Sequence, residues 1–346
     1  MRAQHSAIGP WARAWGRFKS QRRALVSLWL LGVLLGISLL AELVSNDKPY
    51  VVHYQQQLYF PLFKTYPETT FGGDFPTPSD YLDPFMQQQL ASDGNWAIFP
   101  PNRYAADTLN YFASAPNPAP PSHDNLLGTD DKGRDLLARL LYGFRTSALF
   151  ALALTLTGSV LGVVIGGIQG YFGGRVDLFG QRVSEIWAAL PELYLLIIFT
   201  AIFAPSLSLL LILMTLLGWM GLADYTRAEF LRHRNREYVL AARSMGLSDW
   251  QIIRRHVLPN SLTPVLAFLP FRMGAAILAL TSLDFLGLGV SQQTASLGEL
   301  LAQGKANLDA WWISMSTFAV LLTLMLLLVF IGEGLRQALD PRSKVG

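Results

Sequence analysis

Hydrophobic positions in this chain gather into long unbroken runs, without the alternation of a half-buried strand or the narrow stripe of a soluble amphipathic helix. About 20 apolar residues carry a helix across the hydrocarbon core of a bilayer, so each run is read as a span. Ala24–Ala41 is free of charge and continues to Val44, giving a first span over 24–44. It is too long for a signal-peptide core and no small-residue cleavage site follows it, so it is expected to be retained. Thr146–Phe172 is uncharged and makes a second span. The run 186–223 carries only Glu192, but its 38 residues would extend about 57 Å as one helix. Ala204-Pro205-Ser206 divides it into spans over 186–204 and 207–223. A fifth span over 263–283 contains Arg272, and a sixth covers 311–331. The pattern predicts an all-α polytopic membrane protein with six transmembrane helices.

Charge tests the count. Residues 1–23 hold six Lys or Arg and no acid, which places the N-terminus in the cytosol. Six spans return 173–185, 224–262 and 332–346 to that side, so both termini are cytosolic. Eighteen of the 27 basic residues then lie inside. Taking 186–223 as a single span would put the seven arginines of 224–262 outside.

The segment 45–125, between the first and second spans, reads as an irregular exterior insertion. Residues 45–122 hold 15 aromatics and 12 of the 19 prolines, with seven acids against three bases. Such a segment packs on itself as a cap over the membrane domain or offers a docking surface to an exterior partner, and both readings stay open. "APNPAPPSH" (Ala115–His123) is an extended linker. In "LLGTDDKGRDLLARLLYGFRTS" (Leu126–Ser147), Thr129 is placed to cap a helix over 129–143. Its stripe Leu136, Leu137, Leu140 and Leu141 would lie along the membrane surface.

One polar passage stands apart: "EYVLAARSMGLSDWQIIRRHVLPN", Glu237–Asn260. Tyr238, Ala241, Ala242 and Met245 repeat as one helix face, and Gly246 is placed to stop that helix in the left-handed conformation. Ser248 and Gln251 form a capping box for a second helix. Its stripe is expected to be Trp250, Ile253 and Val257, and Leu258-Pro259 is expected to end it. A connecting loop, a nucleic-acid-binding helix-turn-helix and a docking element for a cytosolic motor are the three readings. Tethering of both ends near the bilayer leaves no reach into a major groove, so no nucleic-acid partner is expected.

Composition narrows the chemistry. With no cysteine among 346 residues, disulfides, thiolate metal sites and thiol catalysis are excluded. The five histidines, His5, His53, His123, His233 and His256, have no ligand spacing, and no metal site is expected. No G-x-x-x-x-G-K-[ST] phosphate cradle occurs, so no enzymatic activity and no cofactor are expected in this chain. Arg272 in the fifth span, and Asp284 and Phe285 at its end, are the candidate pore or gate residues. An ion pair of Arg272 with Glu42, Glu192 or Asp284 is the alternative.

The spacing of Ala241, Ala242, Gly246, Leu258 and Pro259 resembles the EAA loop of ABC-importer permeases. That resemblance implies a fold of the type I ABC importer kind. It also implies that Glu237, Ala241, Ala242, Arg243, Gly246, Leu258 and Pro259 couple the chain to an ATPase subunit. Leu240 stands where the family usually has an acid, and His256 where it usually has Ile. "LLGTDDKGRDLLARLLYGFRTS", "SLDFLGLGV" (Ser282–Val290), "SLGELLAQG" (Ser296–Gly304) and "GEGLRQALDPR" (Gly332–Arg342) resemble, in order, dipeptide/oligopeptide permeases of the C type. The long insertion is similar to that of Yej-type peptide importers, which also admit peptide–nucleotide antibiotics of the microcin C kind. The resemblance implies a homologous second permease forming a heterodimer, ATPase subunits holding ATP and Mg, a periplasmic solute-binding protein, and the bacterial inner membrane. Nickel or other small-solute importers share these motifs and are the alternative within the fold. A secondary transporter is the alternative of another class, but no inverted pair of broken helices supports it.

Overall fold

The computed structural model describes residues 10–340 apart from 93, 112–114 and 292. His5, and Pro341 and Arg342 of the Gly332–Arg342 segment, lie outside the described residues. The chain opens with α1 (Pro10–Ser20), α2 (Arg22–Leu39) and α3 (Ala41–Val44). β1 (Val51–Tyr54), β2 (Gln57–Tyr59), α4 (Pro84–Ala91) and β3 (Trp96–Ile98) follow. Then come α5 (Leu136–Phe172), α6 (Gly174–Ala188), α7 (Glu192–Ile202), α8 (Leu207–Leu217), α9 (Met220–Arg234), α10 (Glu237–Ser244) and α11 (Asp249–Ile252). A π-turn over Ile253–Val257 leads into α12 (Leu258–Phe285), and α13 (Leu297–Ala306) and α14 (Trp311–Leu339) complete the chain.

Among the described residues, four rods are long and apolar enough to cross a membrane: α2, α5, α14 and the continuous helix Asp249–Phe285. Two bent pairs raise the number to six, α6 with α7 at 64° and α8 with α9 at 41°. The first bend falls just before Pro191, whose ring cannot continue a helix. α7 ends at Phe203, and the Ser206 hydroxyl, accepting from the Leu209 amide at 3.2 Å, caps α8. The division expected at Ala204-Pro205-Ser206 is therefore where the chain turns.

Two compact units divide the chain. The first comprises Met1–Gly32, Ala148–Val290 and Leu322–Gly346. Its core joins Phe150 of α5, Leu196 of α7, Leu210, Leu213 and Met214 of α8, and Leu280 and Leu283 of α12. Four glycines of α5 are spaced by four, Gly158, Gly162, Gly166 and Gly170, and a second contact runs along the last three. A Cβ on Gly162 would lie 3.0 Å from the Trp219 carbonyl, one on Gly166 would collide with the Ala223 carbonyl, and one on Gly170 would lie 2.5 Å from the Arg227 carbonyl. This small-residue ridge lets the α9 backbone lie against α5, the way membrane helices pack without a hydrophobic drive between them.

The second unit comprises Val33–Ser147 and Ser291–Leu321. The 45–125 segment holds a three-stranded antiparallel sheet in the order β2-β1-β3, where an irregular insertion was expected. Val52 and Tyr54 point inward from β1 and pack with Phe71, Tyr81, Met86 and Leu90. Phe71 sits at the centre, edge-on to Tyr54, Tyr59, Tyr66 and Tyr81 at 5.2–6.1 Å between ring centroids.

The expected surface helix over 129–143 is a turn followed by a long helix. Asp130 and Arg134 close the turn, with the Arg134 amide donating to Asp130 at 2.9 Å and Gly133 at φ +84°. Asp135, not Thr129, caps α5 by accepting from the Ala138 amide at 2.8 Å. From Leu136 the helix runs unbroken to Phe172. Local ion pairing takes residues 130–134 out of the helix before any capping by Thr129 can begin.

Candidate functional site

The passage Glu237–Pro259 forms a short helix, a glycine stop and a second helix. α10 ends in a Schellman motif: the Gly246 amide donates to the Arg243 carbonyl at 3.0 Å and the Leu247 amide to the Ala242 carbonyl at 3.2 Å. Gly246 adopts φ +80°, a conformation cheap only for glycine or asparagine. The capping box of Ser248 and Gln251 is present and starts α11. α11 does not stop at Leu258-Pro259, because the π-turn carries it into α12, with Pro259 just past the turn.

The buried face differs from the expected one. Val239, Ala242, Ile252 and Val257 are buried with Tyr171 and Phe230, whereas Ala241, Tyr238 and Met245 face outward. Ile252 and Val257 share the inner face five residues apart, as a π-turn allows and a 3.6-residue period does not. The outer face therefore presents Leu240 at 48%, Met245 at 73% and Trp250 at 68% exposure. These are three large apolar side chains exposed in a passage of arginines. The expected coupling residues Glu237, Ala241 and Arg243 flank them exposed, Ala242 lies beneath, and Leu258 is half-buried.

The end of α5 grips this element from below. The Tyr171 hydroxyl donates to Asp249 at 2.6 Å, and Arg243 donates to the same hydroxyl at 3.4 Å and stands 3.9 Å from Asp249. The Tyr171 hydroxyl beside Arg243 holds its guanidinium above the ordinary arginine value. Burial likewise raises the Tyr238 phenol, which bonds His233 at 2.7 Å. Arginine stays charged and tyrosine neutral at physiological pH, so these two groups do not change charge there.

The candidate gate residues are not brought together. Asp284 accepts from the Val290 amide at 2.9 Å, and α12 ends in a second Schellman motif at Gly287, φ +74°. Arg272 lies twelve residues earlier, about 18 Å along the helix. Glu42, one proposed partner of Arg272, pairs with Arg145 at 2.7 Å within the second unit. Among the described residues Arg272 forms no ion pair.

A buried charge network escaped the sequence reading. Arg139 is fully buried and pairs with Glu299, which also accepts from Arg134 at 3.1 Å, while Arg134 pairs with Asp130 at 2.6 Å. The signal was present as the motifs 126–147 and 296–304, but nothing in their spacing says that they meet.

Residues 158–345 match the family described as binding-protein-dependent transport system inner membrane component, and residues 9–63 match the N-terminal TM domain of oligopeptide transport permease C. The inner membrane ABC transporter permease protein YejE of Escherichia coli is 49% identical over 96% of this chain and 97% of its own length. The peptidoglycan transport system permease protein YejE of Agrobacterium fabrum is 43% identical over 96% and 93%. The dipeptide transport system permease protein DppC of Lactococcus lactis is 31% identical over 95% and 90%. Among solved structures, an inward-facing MetNI methionine ABC transporter chain matches with TM-score 0.51 and 16% identity, over 59% of this chain and 98% of that one. That likeness shows the fold, which is the type I ABC importer permease fold. The chain belongs to the family of binding-protein-dependent ABC transporter inner membrane permeases.

Proposed function

We propose that this chain is the permease subunit of an ABC importer that carries peptides across the bacterial inner membrane. Names of its relatives that include dipeptide, oligopeptide and peptidoglycan transport support that substrate class. ATP and Mg are bound by partner ATPase subunits, a homologous second permease completes the pathway, and an exterior binding protein delivers the peptide. Both termini face the cytosol, in keeping with the basic residues of 1–23 and 224–262.

The observation that carries the coupling role is the exposure of Leu240, Met245 and Trp250, three large apolar side chains, on a capped, glycine-stopped element. These side chains seat in an apolar groove of the ATPase, taking the place of the acid usual before the alanine pair. ATPase closure pushes on α10 and α11, and the unbroken helix Asp249–Phe285 passes the motion to the fifth span.

Gly246→Val tests this. A β-branched residue at φ +80° is strained by about 1–3 kcal/mol, and an added Cβ would meet nothing from elsewhere in the fold within 4 Å, so the effect is conformational and not a clash. In the reconstituted complex, peptide uptake should fall at least tenfold with ATP hydrolysis largely retained. Full-rate uptake by the variant would refute the coupling role. Loss of peptide-dependent growth, or resistance to a peptide–nucleotide antibiotic, in a deletion strain checks the substrate class.

A further inference from the structure

Within the first unit a cavity of about 200 Å³ is lined by residues of α5, α7, α8 and α12 together with Gly218. Arg272 and Glu192 both line it, with Thr155 and Gly158. The Arg272 Nε and the Thr155 hydroxyl are buried without a hydrogen-bond partner among the described residues, and Arg272 Nη2 makes one long hydrogen bond, 3.5 Å, to the Gly218 carbonyl. Gly158, first of the four spaced glycines, leaves the guanidinium its space, since a Cβ there would sit 3.2 Å from Nη2.

An ionised side chain in a span is costly unless it is paired or serves transport. Had Arg272 and Glu192 been a structural pair they would have closed on each other, yet neither forms an ion pair among the described residues. Unfilled guanidinium donors face a small space, and the planar fork of arginine matches a carboxylate. Pockets that enclose a whole small molecule run to about 300–1,000 Å³, so this one takes an end of a ligand.

We infer that the cavity is a station on the translocation path where Arg272 holds the C-terminal carboxylate of the passing peptide. The inference rests on the peptide-importer reading and names the group that is recognised. Glu192 in the same cavity keeps the station close to neutral, so the carboxylate is held weakly enough to leave, as conduction requires.

The test uses the complete reconstituted transporter with its binding protein and one tripeptide in two forms, free acid and C-terminal amide. Wild type should take up the acid faster. Arg272→Gln should lower acid uptake about tenfold, the loss of one charge-assisted pair, and leave amide uptake unchanged, bringing the acid-to-amide ratio near one. Glu192→Gln should lower KM and kcat together for the acid alone. A wild type without acid preference, or acid and amide uptake falling in parallel in Arg272→Gln, would overturn the inference. If that variant fails to assemble, Arg272→Lys decides: a reduced ratio upholds it and an unchanged ratio sinks it. A wild-type complex that takes up neither form refutes the peptide reading itself.

Discussion

Glu299 and Gly166 show how much of this structure hangs on single side chains, for opposite reasons. Glu299 answers the fully buried guanidinium of Arg139 and the nearly buried one of Arg134. Removing one member of such a network leaves an uncompensated buried charge, at a cost of about 3–5 kcal/mol. Glu299→Ala should therefore lower the thermal midpoint of the detergent-solubilised protein by several degrees, whereas Arg182→Ala, which breaks an exposed pair with Glu185, should not move it. Gly166 matters for what it lacks. Even Ala there meets the Ala223 carbonyl, and overpacking of this kind costs about 1–3 kcal/mol. Gly32 in α2 has nothing within 4 Å, so Gly32→Ala is the control, expected to be neutral or slightly stabilising. A Gly166→Ala protein as stable as wild type would remove the ridge from the account of α5–α9 packing.

At the scale of elements, Ser248 and Trp250 separate the framework of the proposed coupling element from its exposed surface. Ser248→Ala removes the cap of α11 and should cost about 1 kcal/mol of local stability, read as faster amide exchange across 247–252. Trp250→Ala removes an exposed side chain and should leave that exchange unchanged while weakening retention of the ATPase subunits during purification. The same elements show what could be read in advance. Runs of apolar residues pointed to long helices, whose ends in the structure reach beyond those runs, and Pro205 with Ser206 located a turn, because Pro and a hydroxyl cap act through the local backbone. Gly246 and the Ser248–Gln251 box were readable for the same reason. The buried face of α10 and α11 was not, since the π-turn inserts a residue into the helical period and moves the inner pair to Ile252 and Val257. Thr129 looked like a cap, but the Asp130–Arg134 turn takes precedence, and its Arg134 also pairs with Glu299, far away in sequence. The four-residue spacing of glycines in α5 was legible, but its partner helix was not. The sheet was hidden by strands only three or four residues long.

At the scale of the whole molecule, each unit has its own core, and the second gathers around Phe71. Phe71→Ala should cost about 3–5 kcal/mol, seen as increased amide exchange over 51–99, with β1 and its two partner strands opening together. Exchange in α8 and α9, which share no buried cluster with Phe71, should stay as in wild type. The π-turn at Ile253–Val257 reaches further than its five residues suggest. It sets the phase between Trp250 on one part of the Asp249–Phe285 rod and Arg272 on the other. Deleting one residue from the turn would regularise the helix, rotating everything beyond it by about 100° and drawing it back about 1.5 Å. Arg272 would swing from its cavity toward another side of α12 with the sequence of α10 and α11 unaltered. The compass bearing of Arg272 is thus written at the start of the rod that carries it.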